Sequence, residues 1–141
     1  MEDRYNLERF VSAQNAGGTY EHAVAELTSE RKTGHWMWFV FPQIAGLGQS
    51  SMSRTYAISS LDEAKAHLRH PVLGPRLLEC AGIVANARAQ TAEQIFGGID
   101  AQKLRSSMTL FLRAKPSEPV FRQVLDRFFG GLPDSATDQR V

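Results

Sequence analysis

The chain has one cysteine in 141 residues, Cys80. A single thiol excludes an internal disulfide and fits a reducing compartment. Its setting, Leu77-Leu-Glu-Cys-Ala-Gly-Ile-Val84, is an apolar helical pattern, so the thiol belongs to a core rather than to a nucleophile. No run approaches the ~18 apolar residues of a membrane span. The start, Met1-Glu-Asp-Arg-Tyr-Asn6, has no apolar leader segment. The expectation is a cytoplasmic protein with no membrane partner. Excess charge is also lacking. Sixteen Lys and Arg stand against 15 Asp and Glu, a net +1. That balance argues against nucleic acid as a partner, and any preference for anions has to come from a local patch. Gly-x-Ser-x-Gly elbows, paired cysteines and the dinucleotide fingerprint are absent. His22, His67, His70 and Cys80 lack metal-ligand spacing, so neither metal nor cofactor is expected. Nothing in the sequence sets an oligomeric state.

The most informative absence is local. From Arg31 to Leu61 there is no Asp or Glu in 31 positions, where the chain average would place about three. The same stretch holds both tryptophans, two phenylalanines, His35, and the cations Arg31, Lys32 and Arg54. It also holds the turn Gly46-Leu-Gly48-Gln-Ser-Ser-Met-Ser-Arg54. Cations without carboxylates, beside aromatic faces and exposed backbone, suit an anionic ligand with a flat ring.

Elsewhere the pattern is helical. Leu7, Phe10 and Val11 share one face, as do Tyr20, Ala23, Val24 and Leu27. Ser60-Leu-Asp-Glu63 and Thr91-Ala-Glu-Gln94 have the spacing of capping boxes, and His70-Pro71 closes the helix between them. Leu73 to Ala87 turns Leu77, Leu78, Ala81 and Val84 inward; Leu104, Met108, Phe111 and Leu112 form another stripe. Ser117-Glu-Pro119 opens the last helix, which buries Phe121, Val124, Leu125 and Phe128. The six apolar residues Trp36 to Phe41, ended by Pro42, are either a short helix or an extended segment. The expected fold is one all-α domain over residues 1–141, with orthogonally packed helices. Phe10, Leu27, Leu78, Leu104, Phe111, Phe121 and Leu125 would share its core. The polar residues 133–141 are expected to form a flexible tail.

Several of these motifs are long and specific. His35-Trp-Met-Trp-Phe-Val-Phe-Pro-Gln43, Gly46-Leu-Gly48 and His70-Pro-Val-Leu-Gly-Pro-Arg-Leu77 are three of them. Ile95-Phe-Gly, Asp100, Lys103 and Ser106-Ser-Met-Thr-Leu-Phe111 complete the set. Together they resemble the family catalogued as domain of unknown function 1810, over about Leu7 to Phe129. The resemblance implies a compact, mainly helical domain found chiefly in bacteria, and no established activity. The polar end Asp138-Gln-Arg-Val141 departs from the apolar close that the resemblance implies. A looser likeness in kind, in size, helicity and aromatic-basic motifs, links the chain to the helical NAD- and ADP-ribose-associated superfamily. That likeness implies cleavage of N-glycosidic bonds in ADP-ribose compounds.

The residues themselves suggest how such a ligand would be held. Gly46 and Gly48 let backbone N–H groups approach a phosphate, Ser50 and Ser53 donate, and Arg54 offers a planar fork. The competing reading is a glycine-bounded loop capped by its own serines. Trp36 or Trp38 can stack a base. Two residues apart they point to opposite sides, so one faces a ligand and the other the core. Gln43 and Tyr56 are the remaining ligand-side candidates of this stretch. His35 is a candidate proton donor, since imidazole is the side chain suited to proton transfer near neutrality.

Asp100 and Lys103 head a later helix. Asp100 either caps it or stabilises an oxocarbenium-like centre, with Lys103 holding a phosphate or acting as nucleophile. Ser106 and Ser107 are poor helix formers in mid-helix and add hydroxyls. The reading is thus a pocket between the 31–56 stretch and the head of the helix at Asp100. It takes a small anionic nucleotide-like ligand and hydrolyses an N-glycosidic bond of an ADP-ribose derivative, with Asp100, His35 and Lys103 as catalytic residues. The alternative is a non-enzymatic helical module that docks a protein or peptide on an exposed apolar patch around Trp38.

Overall fold

A computed structural model describes residues 3–141. The chain is a single all-helical unit. It begins with α1 (Glu8–Asn15), passes a 3-10 turn at Ala16–Gly18, and continues as α2 (Thr19–Thr28), α3 (Met37–Val40) and α4 (Ser51–Thr55). Then follow α5 (Leu61–Arg69), α6 (Leu73–Ala85), α7 (Ala92–Phe96), α8 (Gly98–Ala114), α9 (Pro119–Phe129) and α10 (Ser135–Asp138).

Local chemistry sets most boundaries. Ser60 accepts from Glu63 N at 3.1 Å, and Thr91 with Gln94 forms a reciprocal capping box. Pro119 occupies the first turn of α9, where its missing N–H costs nothing, and Glu118 caps it. Trp36 to Phe41 resolves as the single turn α3, ended by Pro42.

Helix α8 is the axis of the fold and packs against α5, α7, α9 and α10. Leu104, Met108, Leu110 and Phe111 are fully buried on it, together with Phe10, Phe121 and Leu125 from other helices. Leu78 is the exception among the expected core residues. It lies half-buried at the edge while Leu77 takes the interior position, because successive residues of a helix point about 100° apart.

The C-terminal residues are docked, which corrects the expectation of a flexible tail. Residues 135–138 are helical, and Asp134 and Thr137 are buried. Asp134 accepts from Gln102 Nε2 (3.0 Å), Ser106 Oγ (3.1 Å), and Thr137 N (3.1 Å) and Oγ1 (2.6 Å). Its own N–H donates to Thr109 Oγ1 at 2.8 Å. Arg113 grips Asp138 through both carboxylate oxygens at 2.8 and 3.0 Å. A segment can be polar and ordered when every buried polar atom finds a partner.

Two devices position the acid-free stretch. A parallel bridge joins Ile44 and Ile58, through Ala45 N to Ile58 O (2.8 Å) and Ile58 N to Gln43 O (2.9 Å). It closes the 45–57 segment into a loop that carries Gly46, Gly48 and α4. The other device is Lys32 N, which donates to Ile95 O at 2.8 Å and ties the 31–36 loop to the end of α7. Among the described residues no helix is long and apolar enough to cross a membrane.

Candidate functional site

Trp38 is the centre of the site. Two recesses share it as a wall, one of about 160 Å³ and one of about 380 Å³. Two residues earlier, Trp36 is only 2 % exposed and packs against Phe41. Its Nε1–H donates to Glu26 Oε1 at 3.0 Å. Trp36 lines neither of these two recesses. The two tryptophans differ in burial, and Trp38 is the half-buried one.

The smaller recess is built by the closed loop. Gln43, Gly46, Gly48, Ser53, Arg54 and Tyr56 line it beside Trp38. Gly48 is needed there. A Cβ at that position would stand 2.4 Å from Ser53 Oγ and 2.5 Å from Ser53 Cβ. Tyr56 is held by Phe10 and Phe39, at ring centroid distances of 5.7 and 5.2 Å. Arg9 braces the same wall from α1, donating to Thr55 O and Ala57 O at 2.8 Å and pairing with the buried Glu63 at 2.9 Å. Arg54 is exposed at the rim and makes no ion pair among the described residues. Ser50 lies outside the recess. Its Oγ accepts from Ser53 N at 3.1 Å and caps α4, the competing reading given to the serines of this loop.

The larger recess lies between the 32–38 segment and the head of α8. Lys32, His35, Met37 and Trp38 line it from one side, Phe96 to Asp100 from the other. Lys32 Nζ, on a side chain only 7 % exposed, is 2.8 Å from Asp100 Oδ2. Lys103 Nζ stands 3.5 Å from Asp100 Oδ1 and 4.9 Å from the centroid of the Trp38 ring. The three charges sum to +1, and the cluster touches the aromatic wall. Asp100 is not the helix cap. The helix starts at Gly98, with Gly97 at the capping position and no side-chain cap, so Asp100 lies within the first turn and its carboxylate pairs with Lys32 and Lys103. His35 is exposed at the rim.

Glu26 organises the loop that presents these groups. Its Oε1 accepts from Thr33 N (2.8 Å), Gly34 N (2.9 Å) and Trp36 Nε1 (3.0 Å). Burial pushes its pKa up, but the hydrogen bonds from Gly34, Thr33 and Trp36 outweigh it and hold the carboxyl below the usual range. Sequence reasoning missed Glu26 because it lies on α2, outside the acid-free stretch. It also missed Phe96 and Ile99. Ile99 is 78 % exposed on the lip of the larger recess.

Other expected site residues lie elsewhere. Arg31 is exposed and lines neither recess. Ser106 is buried and binds Gln102 O and Asp134, so its hydroxyl serves the C-terminal segment. Ser107 is fully buried among core residues and lines neither recess. It is one turn beyond Lys103, on the face that carries Asp100. Its Oγ has no partner among the described residues, and neither does the buried Nε1 of Trp38. Arg105 is used structurally, donating to Leu132 O and Pro133 O.

Outside the site, Cys80 is buried beside Tyr20, and desolvation pushes its thiol up to about 12. That leaves it unreactive. The exposed large apolar side chains among the described residues are Ile99, Leu132 and Val141. Of these, Ile99 lines the larger recess together with Trp38.

The sequence profile of the family described as "Protein of unknown function (DUF1810)" matches residues 4–141. The chain is similar to the conserved hypothetical protein Rv1873 from Mycobacterium tuberculosis, solved by crystallography at 1.38 Å. The two share 49% identity at a TM-score of 0.93, over 97% of this chain and 96% of that one. No curated protein matches the chain.

Proposed function

The chain belongs to the DUF1810 family, and from the cleft around Trp38 we propose that it binds a small, anionic, nucleotide-like ligand. One observation carries the reading. Trp38 is the common wall of a recess rimmed by an unpaired guanidinium and a recess lined by Lys32 and Asp100, with Lys103 set against Asp100 and the Trp38 ring. An aromatic wall with cations on both sides matches a molecule that has a flat ring and phosphate groups. The two volumes together fall within the range of about 300–1,000 Å³ typical of small-molecule sites.

The binding step carries the weight of this proposal, and N-glycosidic hydrolysis of an ADP-ribose derivative is its enzymatic extension. Asp100 is the carboxylate lining the cleft, where it would face positive charge developing at an anomeric carbon, and His35 would protonate the departing nitrogen. Lys32 and Lys103 offset the charge of Asp100. They make the cluster a holder of anions first. Lys103 fits the role of phosphate holder better than that of nucleophile, because its ammonium is already engaged by Asp100 and the Trp38 face.

The test is isothermal titration with ADP-ribose, AMP and inorganic pyrophosphate on the wild type and on Arg54→Glu. Saturable binding that is lost in Arg54→Glu supports the reading. Binding that survives the substitution unchanged removes Arg54 from the site, and no binding of any member of the panel removes the proposal. Product analysis on the ADP-ribosyl members tests the enzymatic extension separately.

A further inference from the structure

We infer that Arg140, at the C-terminal end of the chain, is the second guanidinium of the anion site, and that ligand binding is coupled to docking of the C-terminal segment. The inference rests on the nucleotide-like reading above and locates the anionic group within it.

The starting point is Gly46. Its φ of 99° lies in the region open mainly to glycine. The Cβ it lacks would stand 2.9 Å from Arg140 Nε and 3.5 Å from Arg140 Cδ. The arginine side chain therefore lies directly against the Gly46 backbone, in space that any other residue would fill. Gly46 is also a lining residue of the recess that Arg54 rims. Arg140 thus lies against a glycine of the same recess that Arg54 lines from α4.

Neither arginine is neutralised. No carboxylate pairs with Arg54 or Arg140 among the described residues. Arg140 donates through NH1 to Ala136 O at 2.9 Å, which leaves most of its fork unused. Two uncompensated cations bordering one recess favour an anion there. Planar guanidinium forks match the oxygens of a phosphate pair better than ammonium groups do. The chemical class that fits is a pyrophosphate group, free or within a nucleoside diphosphate.

Arg140 does not hang on a loose end. The buried Asp134 binds Thr137 and Ser106, and Asp138 is gripped by Arg113. These contacts fix α10, and α10 fixes Arg140 against Gly46. The fold meets part of the ordering cost of this cation, and an anion on Arg140 adds to what holds the segment docked.

The experiment is isothermal titration of the full chain with inorganic pyrophosphate and, separately, ADP-ribose. The wild type, Arg140→Ala and Arg140→Lys are compared, with unliganded melting temperatures as the fold control. Hydrogen exchange of residues 135–141 is followed with and without pyrophosphate. The expected result is that pyrophosphate binds the wild type and that Arg140→Ala weakens it about tenfold or more, as for loss of charged hydrogen bonds. Arg140→Lys should lie between, and pyrophosphate should slow exchange in the 135–141 segment. Equal pyrophosphate affinity in Arg140→Ala overturns the inference, and so does failure of pyrophosphate to bind the wild type. ADP-ribose binding that ignores Arg140 would keep the ligand class and discard this site. Arg140-dependent pyrophosphate binding without ADP-ribose binding would keep this site and discard the nucleotide.

Discussion

Lys32 Nζ lies 2.8 Å from Asp100 Oδ2, and this contact joins the acid-free stretch to the head of α8. The residues are far apart in sequence but are brought together by the bond from Lys32 N to Ile95 O and by the Glu26 carboxylate that shapes the 33–36 turn. The contact balances charge inside the larger recess while leaving a net positive cluster against Trp38.

Replacing Asp100 with Asn should separate its structural role from its chemistry. The largely buried Lys32 loses its ionic partner, so stability should fall by about 1–3 kcal/mol. The cluster then gains a unit of positive charge, so anion affinity should stay equal or rise. Thermal denaturation and pyrophosphate titration check the two effects. Weaker anion binding in Asp100→Asn would show that the carboxylate helps hold the ligand.

Gly48→Ala should damage the smaller recess. The added methyl meets the Ser53 side chain at 2.4–2.5 Å, and Ser53 is short and tied to Ser50 Oγ at 2.9 Å. The backbone of α4 has to shift, at about 1–3 kcal/mol for overpacking. Arg54 moves with it. A lower melting temperature together with weaker pyrophosphate binding is expected. An unchanged affinity would mean that the Arg54 recess does not take the anion.

Glu26→Ala should release the loop that carries Lys32 and His35. Three donors lose their acceptor at once, including the buried indole N–H of Trp36, at about 1–3 kcal/mol per unsatisfied buried group. Glu26→Gln keeps an accepting oxygen and should lie between Ala and wild type. Both stability and ADP-ribose affinity should follow that order. An affinity unchanged across the series would show that the loop does not position ligand contacts.

Acid should destabilise the fold through His67. The ring is buried between Phe10 and Phe111, at centroid distances of 4.9 and 5.4 Å. Burial, with smaller contributions from His70 and Arg9, lowers its pKa from 6.5 to about 3. The folded state therefore keeps His67 neutral while the unfolded chain takes up a proton below pH 6.5. Its contribution is fully present above pH 6.5 and is lost as pH falls toward 3, at up to about 1.4 kcal/mol per pH unit. Urea denaturation at pH 7 and pH 5 should show about 2 kcal/mol lost in the wild type and less in His67→Phe. Equal slopes would mean that His67 is not the titrating group.

The fold was legible because helix periodicity and capping are local signals. Thr91 with Gln94, Ser60 and Pro119 lie where their residue types direct them. Asp100 misled because an acid after two glycines resembles a cap. What holds its carboxylate is Lys32, a partner that no local pattern reveals. Ser106 and the C-terminal segment misled for the same reason. Their order comes from a polar network around Asp134, and hydrophobic periodicity carries no trace of such a network. Arg140 was hidden twice over, by its place in a polar tail and by the distance to Gly46.

The most direct test of the account uses the two tryptophans as internal reporters. The chain has two indole N–H groups, so a 1H–15N spectrum gives two side-chain indole signals, assigned with Trp38→Phe. Titration with ADP-ribose should move the Trp38 signal saturably, leave the Trp36 signal bonded to Glu26 in place, and fail to move either in Arg54→Glu. Movement of the Trp36 signal alone, or a Trp38 signal that stays fixed up to millimolar ligand, would contradict a ligand site built on Trp38.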